Sequence, residues 1–79
     1  MAGAPQSAGD SETIQVRING ENRRAPAGST VSTLLADLGL KEDQVAVELD
    51  LELVRRADWA SAYIRDGAQI EVVRFVGGG

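Results

Sequence analysis

The sequence predicts an α+β domain in which a mixed sheet of four to five strands carries one main helix on one face. Three observations lead there. Residues 13–18 and 44–50 alternate apolar with polar side chains, and 69–75 concentrates apolar ones, as strands do. Residues 31–38 instead repeat their apolar side chains at helical spacing. Asn19-Gly20 stands between the first strand and the polar stretch 21–25, a strong local signal for an antiparallel hairpin.

Taken in order, Ile14, Val16 and Ile18 share one face of the first strand. Asn19 and Gly20 both tolerate the positive φ that a type I′ turn needs. The returning strand, 21–25, is polar enough for a sheet edge, and Pro26, lacking an N–H, is expected to stop it. The loop that follows delivers Thr30, or else Ser29, as a helix N-cap. Val31, Leu34, Leu35 and Leu38 make one apolar stripe, and Gly39 falls where a helix ends in the left-handed conformation. A helix of about eight residues melts alone, so packing on the sheet must hold it.

In the stretch 44–50, Val45, Val47 and Leu49 face one side, with Ala46 and Glu48 on the other. Glu52-Leu53-Val54 reads as a short extended piece. Asp58 or Ser61 is expected to cap a helical turn, in which Trp59 and Tyr63 fill a minor core. Asp66-Gly67 marks a turn before the last strand. That strand is apolar on both faces: Ile70, Val72 and Val76 match a core face, Val73 and Phe75 the opposite one. Such a strand belongs in the sheet centre beside the first strand. Strands gathered around one helix in this order describe a β-grasp layout.

The chain of 79 residues suffices for one domain. Residues 1–12 read as a disordered leader, 13–76 as the β-grasp domain and 77–79 as a flexible glycine tail. The start has no basic region followed by an apolar core, so it is not a signal peptide, and no apolar run approaches the length of a membrane span. A soluble, cytoplasmic protein is expected. There is no Cys and no His, which excludes disulfides, thiolate metal sites and the commonest general base. A formal charge of −4 opposes binding to a nucleic-acid backbone. Arg23-Arg24, Arg55-Arg56, Asp37, Glu42 and Asp43 read as solvated surface charge. With no nucleophile–base pair and no metal-ligand constellation, no catalytic residue is assigned and no bound cofactor is expected.

What remains is the ending, Gly77-Gly78-Gly79. Val76 to Gly79, fully extended, reach about 13 Å. Without side chains, Gly77 and Gly78 can thread a narrow channel. The α-carboxylate of Gly79 can then enter another enzyme's site and be activated there, for instance as an acyl adenylate. The carrier would supply only a carboxylate and its partner the chemistry. Val73 and Phe75, at the root of this stalk, would form an exposed apolar patch for docking that partner. The plainer alternatives are that they are ordinary central-strand residues and that the glycines are a frayed end.

A β-grasp pattern ending in two glycines resembles the ubiquitin-like proteins, and among them the ThiS family of bacterial sulfur carriers. The matching segments are IQVRINGE at 14–21, APAGSTVSTLLADLGL at 25–40, VAVEL at 45–49 and RDGAQIEVVRFVGGG at 65–79. The resemblance implies that an E1-like adenylating enzyme activates the Gly79 carboxylate with ATP and Mg. Sulfur ultimately drawn from a cysteine desulfurase would convert the adenylate to a thiocarboxylate. Thiazole synthase would receive that sulfur in thiamine biosynthesis. Gly78 and Gly79 match the family's di-glycine. The chain departs from the family pattern at Asp50-Leu51, where a polar turn pair is usual, at Arg55 in place of a common proline, and at Ala68 in place of a common acid. Related carriers serve cysteine synthesis, tRNA thiolation, molybdopterin or specialised metabolites. A ubiquitin-like protein modifier is the reading of a different class.

Overall fold

A computed structural model describes residues 12–75. Residues 1–11, Val76 and the glycine tail lie outside the described residues. Strands β1 (Thr13–Ile18) and β2 (Glu21–Pro26) form the expected hairpin, paired from Thr13↔Pro26 to Ile18↔Glu21. Asn19 (φ 52°) and Gly20 (φ 85°) supply the two positive angles of the turn. Pro26 occupies the strand's last position rather than lying beyond it. Bonded pairs in a two-residue hairpin alternate from the turn outward, so Pro26, opposite Thr13, falls at a non-bonded position. Its missing N–H there faces away from β1, on an edge strand.

Helix α1 (Val31–Asp37) begins with a reciprocal cap. The Thr33 amide donates to Thr30 Oγ1 at 3.2 Å, and the Thr30 amide donates to Thr33 Oγ1 at 2.9 Å. At the other end Gly39 has φ 74°. The Gly39 amide bonds Ala36 O and the Leu40 amide bonds Leu35 O, the paired closure of a Schellman motif. Val31, Leu34 and Leu35 are buried, with Leu38 partly so. A short 3-10 turn, Glu42–Gln44, leads into β3 (Val45–Leu49), followed by β4 (Glu52–Val54). A 3-10 segment, Arg56–Ser61, then precedes β5 (Gln69–Arg74).

The sheet order is β2-β1-β5-β3-β4, with β1 and β5 parallel and the other neighbours antiparallel. The last strand thus lies centrally beside the first, and the architecture is the β-grasp expected. Val16, Ile18, Val45, Val47 and Ile70 meet Val31, Leu34 and Leu35 of the helix in one core.

The segment 56–61 corrects two expectations. Arg55 stands at the cap position without a side-chain bond, while Asp58 lies inside the first turn and Ser61 Oγ donates back to Asp58 O. Trp59 joins the main core at 2% exposure, its Nε1 donating to Val54 O at 2.8 Å, whereas Tyr63 is 66% exposed. The reason is pitch. With three residues per turn, Trp59 aligns with the half-buried Ala62 instead of with Tyr63.

The β3–β4 turn holds Asp50 at φ 52° and Leu51 at φ 73°. A leucine in the left-handed region pays roughly 1–2 kcal/mol, and with 81% of its surface exposed Leu51 recovers little by packing. Leu51→Gly is expected to raise stability by about 0.5–1 kcal/mol after the entropy of glycine is counted. In a domain of this size that is a rise of about 2–8 °C in thermal midpoint, measurable by calorimetry. Leu51→Val, β-branched and equally apolar, is expected to lower it.

Candidate functional site

The site is built on β5, which is bonded along both sides. On the β1 side, Gly67 N donates to Gln15 O at 2.7 Å, Arg17 N to Ala68 O at 2.9 Å and Asn19 N to Ile70 O at 2.9 Å. Two side chains extend this ladder past the strand ends. Asp66 Oδ1 accepts from Gln15 N at 2.8 Å. The amide of Asn19 engages both main-chain groups of Val72, Oδ1 accepting from its N–H at 2.8 Å and Nδ2 donating to its carbonyl at 3.2 Å. Asn19 has turned out of β1, yet its side chain stands where the next peptide of that strand would be. On the β3 side, Asp50 N donates to Gln69 O at 2.7 Å, and Gln69 N donates to Asp50 Oδ1 at 2.9 Å. The ladder closes with Phe75 N donating to Gln44 O at 2.9 Å. The chain is therefore held in register through residue 75.

This register decides what faces outward. Ile70 is buried and Val72 packs against the core, while Val73 and Phe75 project from the face opposite the helix, 57% and 59% exposed. Both residues expected to form a docking patch are thus exposed together at the end of the central strand. Val73 lies opposite Ala46, and Leu53, opposite Glu48, adds a third large apolar side chain to that face. Leu51 at the β3–β4 turn is a further exposed one. The sequence reading missed Leu53. Treating Asp50-Leu51 as a two-residue turn would have set Leu53 opposite Glu48, on the same sheet face as Val73.

Gly77, Gly78 and Gly79, the expected stalk and reactive terminus, lie outside the described residues. Arg23, Arg24, Arg55 and Arg56 are exposed, as solvated charge should be. Among the described residues no three His, Cys, Asp or Glu side chains are grouped to hold a metal, and no helix is long and apolar enough to cross a membrane. The arrangement can dock an apolar surface and hold the chain leading to residue 76 in a fixed direction.

Comparison with known proteins assigns this geometry. The family model described as ThiS family matches residues 16–79, and so runs through the last glycine. The chain is 45% identical over 66 residues to a thiazole synthase of Paramagnetospirillum magneticum, covering 84% of this chain and 20% of that protein. It spans about a fifth of the length of the thiazole synthases it matches. The sulfur carrier protein ThiS of Escherichia coli is 30% identical, with 84% of this chain and all of that one covered. The crystal structure of a thiamine biosynthesis protein (ThiS) from Geobacter metallireducens superposes with a TM-score of 0.73 at 28% identity, covering 84% of this chain and 100% of that one.

Asn19→Gly keeps the positive φ of the turn and removes only the clasp on Val72. The expected result is a loss of about 1–2 kcal/mol from two hydrogen bonds. Amide hydrogen exchange should accelerate at Val72 and its neighbours in β5 more than in α1, which a uniform loss of stability would not produce.

Proposed function

This chain belongs to the ThiS family, and we propose that it is a sulfur carrier in thiamine biosynthesis, a substrate of its partner enzymes rather than an enzyme itself. The observation that carries this reading is the way β5 ends. The central strand leaves the sheet with Val73 and Phe75 exposed beside it, immediately before a tail that the family match follows through Gly79.

In this reading the Gly79 carboxylate attacks the α-phosphate of Mg-bound ATP in an E1-like adenylating enzyme. An acyl adenylate forms and pyrophosphate leaves. The terminal sulfur of a persulfide, charged ultimately by a cysteine desulfurase, displaces AMP. Thiol reduction of the resulting acyl disulfide frees the thiocarboxylate. Gly77 and Gly78 lack the Cβ atoms that would block a narrow channel, so they pass the terminus into each partner's site. Val73 and Phe75 supply the apolar contact that aligns the tail with that site. The chemistry runs in the cytoplasm.

Thiazole synthase is the sulfur acceptor that best fits. In two proteins of that name, a stretch 45% and 39% identical to this chain occupies about a fifth of a longer polypeptide. Carrier-like sequence and that enzyme name therefore share one chain.

Intact mass spectrometry of protein from its native host tests the proposal. A fraction of the chain is expected with one oxygen replaced by sulfur, and deletion of Gly78-Gly79 should abolish it. Covalent adducts of varied mass would identify a protein modifier instead, and finding neither species would refute activation at Gly79. Phe75→Ser, at an exposed position, should leave the thermal midpoint within a few degrees. It should nevertheless raise the KM for adenylation several-fold, since the apolar contact is lost.

A further inference from the structure

Two carboxylates interrupt the apolar strip on the outer face. The β3–β5 register sets Glu48 directly opposite Glu71, and the β3–β4 register sets Leu53 on the other side of Glu48. Leu53, Glu48 and Glu71 thus make one rung, Ala46 and Val73 the next, and Phe75 lies beyond, toward residue 76. The bonds from Asp50 N to Gln69 O and from Phe75 N to Gln44 O fix the alternation along the pair. Glu48 and Glu71 therefore occupy a hydrogen-bonded position, their Cβ atoms about 5.5 Å apart.

Like charges so placed repel one another. Both residues are exposed, and neither forms an ion pair: among the described residues the pair within 4.0 Å is Arg55–Asp58. The arginines that β1 and β2 place on this sheet face are turned to other groups. Arg17 donates to Gly20 O at 3.2 Å, and Arg24 donates to Thr13 Oγ1 at 2.9 Å. Arg55 borders the apolar side beside Leu53 and Phe75 but is paired with Asp58, so the repelling acidic pair within that side has no cation of its own among the described residues.

We propose that the adenylating enzyme reads this face through an arginine or lysine set in an apolar surface. That cation seats between Glu48 and Glu71, while Leu53, Ala46, Val73 and Phe75 take the apolar contacts around it. Closing the apolar rim excludes water and strengthens the charge contact at its centre. The unmodified chain meets the adenylating enzyme before any sulfur is attached, so protein docking alone must select it there. This inference rests on the carrier function proposed above.

The test is ATP–pyrophosphate exchange by the host's adenylating enzyme, titrated with the full chain and with E48Q/E71Q. The variant is expected to raise KM about tenfold with kcat within about twofold. It should also weaken the dependence of KM on ionic strength. Its thermal midpoint should rise, because the repulsion is relieved. E21Q/D37N, which removes the same charge away from this rung, should leave KM unchanged. An unaltered KM in E48Q/E71Q, or an equal rise in E21Q/D37N, would overturn the proposal. So would a lowered thermal midpoint, which would make the pair structural. If the unsubstituted chain supports no exchange at all, the carrier reading fails first and this one with it.

Discussion

The pairing of β5 with β1 on one side and β3 on the other joins the two hairpins of this domain, β1–β2 and β3–β4, into a single sheet. The parallel β1–β5 contact is the long-range one, closing most of the chain into a loop before it returns any stabilisation. Side chains reinforce it where main chain runs out. Asp66 engages one end of β1, and Asn19 reaches from the other end to Val72. On the far side Asp50 performs a similar service for Gln69. Three turn residues thereby fasten the strand that leads to the tail.

A seven-residue helix cannot stand without that sheet, and among the described residues it is the main cover of the sheet's inner face. Each therefore stabilises the other. Trp59 completes the arrangement from a 3-10 segment, and its one polar atom is satisfied by Val54 O. With the inner face committed to the core, the outer face and the end of β5 are what the sheet leaves free for the recognition proposed above. There Val73 and Phe75 extend the apolar character of a buried strand into solvent.

Much of this was legible in the residues. Alternation located β1, β3 and β5, Asn19-Gly20 located the hairpin, and Thr30 and Gly39 bracketed the helix, because each signal is local. The central place of β5 was also readable, since apolar groups on both faces suit no edge. What stayed hidden depends on tertiary register or on pitch. Asp50 suits a turn with two positive φ values but Leu51 does not, so its tight geometry and the placement of Leu53 were not visible. The segment 56–61 reads as an ordinary helical turn until its three-residue repeat sends Tyr63 outward. The Asn19 clasp on Val72 joins residues 53 positions apart, beyond the reach of any local pattern. The expectation of a tail at glycines 77–79 lies outside the described residues, and the role proposed for them rests on the family and the chemistry.

The two margins of the sheet are poor templates for another strand. β2 carries Glu21, Arg23 and Arg24 and ends in Pro26, while β4 is only three residues long. Sheet extension, a common route to aggregation and to peptide capture alike, is discouraged at both borders. In the carrier reading proposed above, a protein that must be released after every encounter and met again by a different enzyme would gain from this. Its contacts would then be made by side chains on an open surface, which separate one at a time, instead of by a shared main-chain ladder that would have to be unzipped.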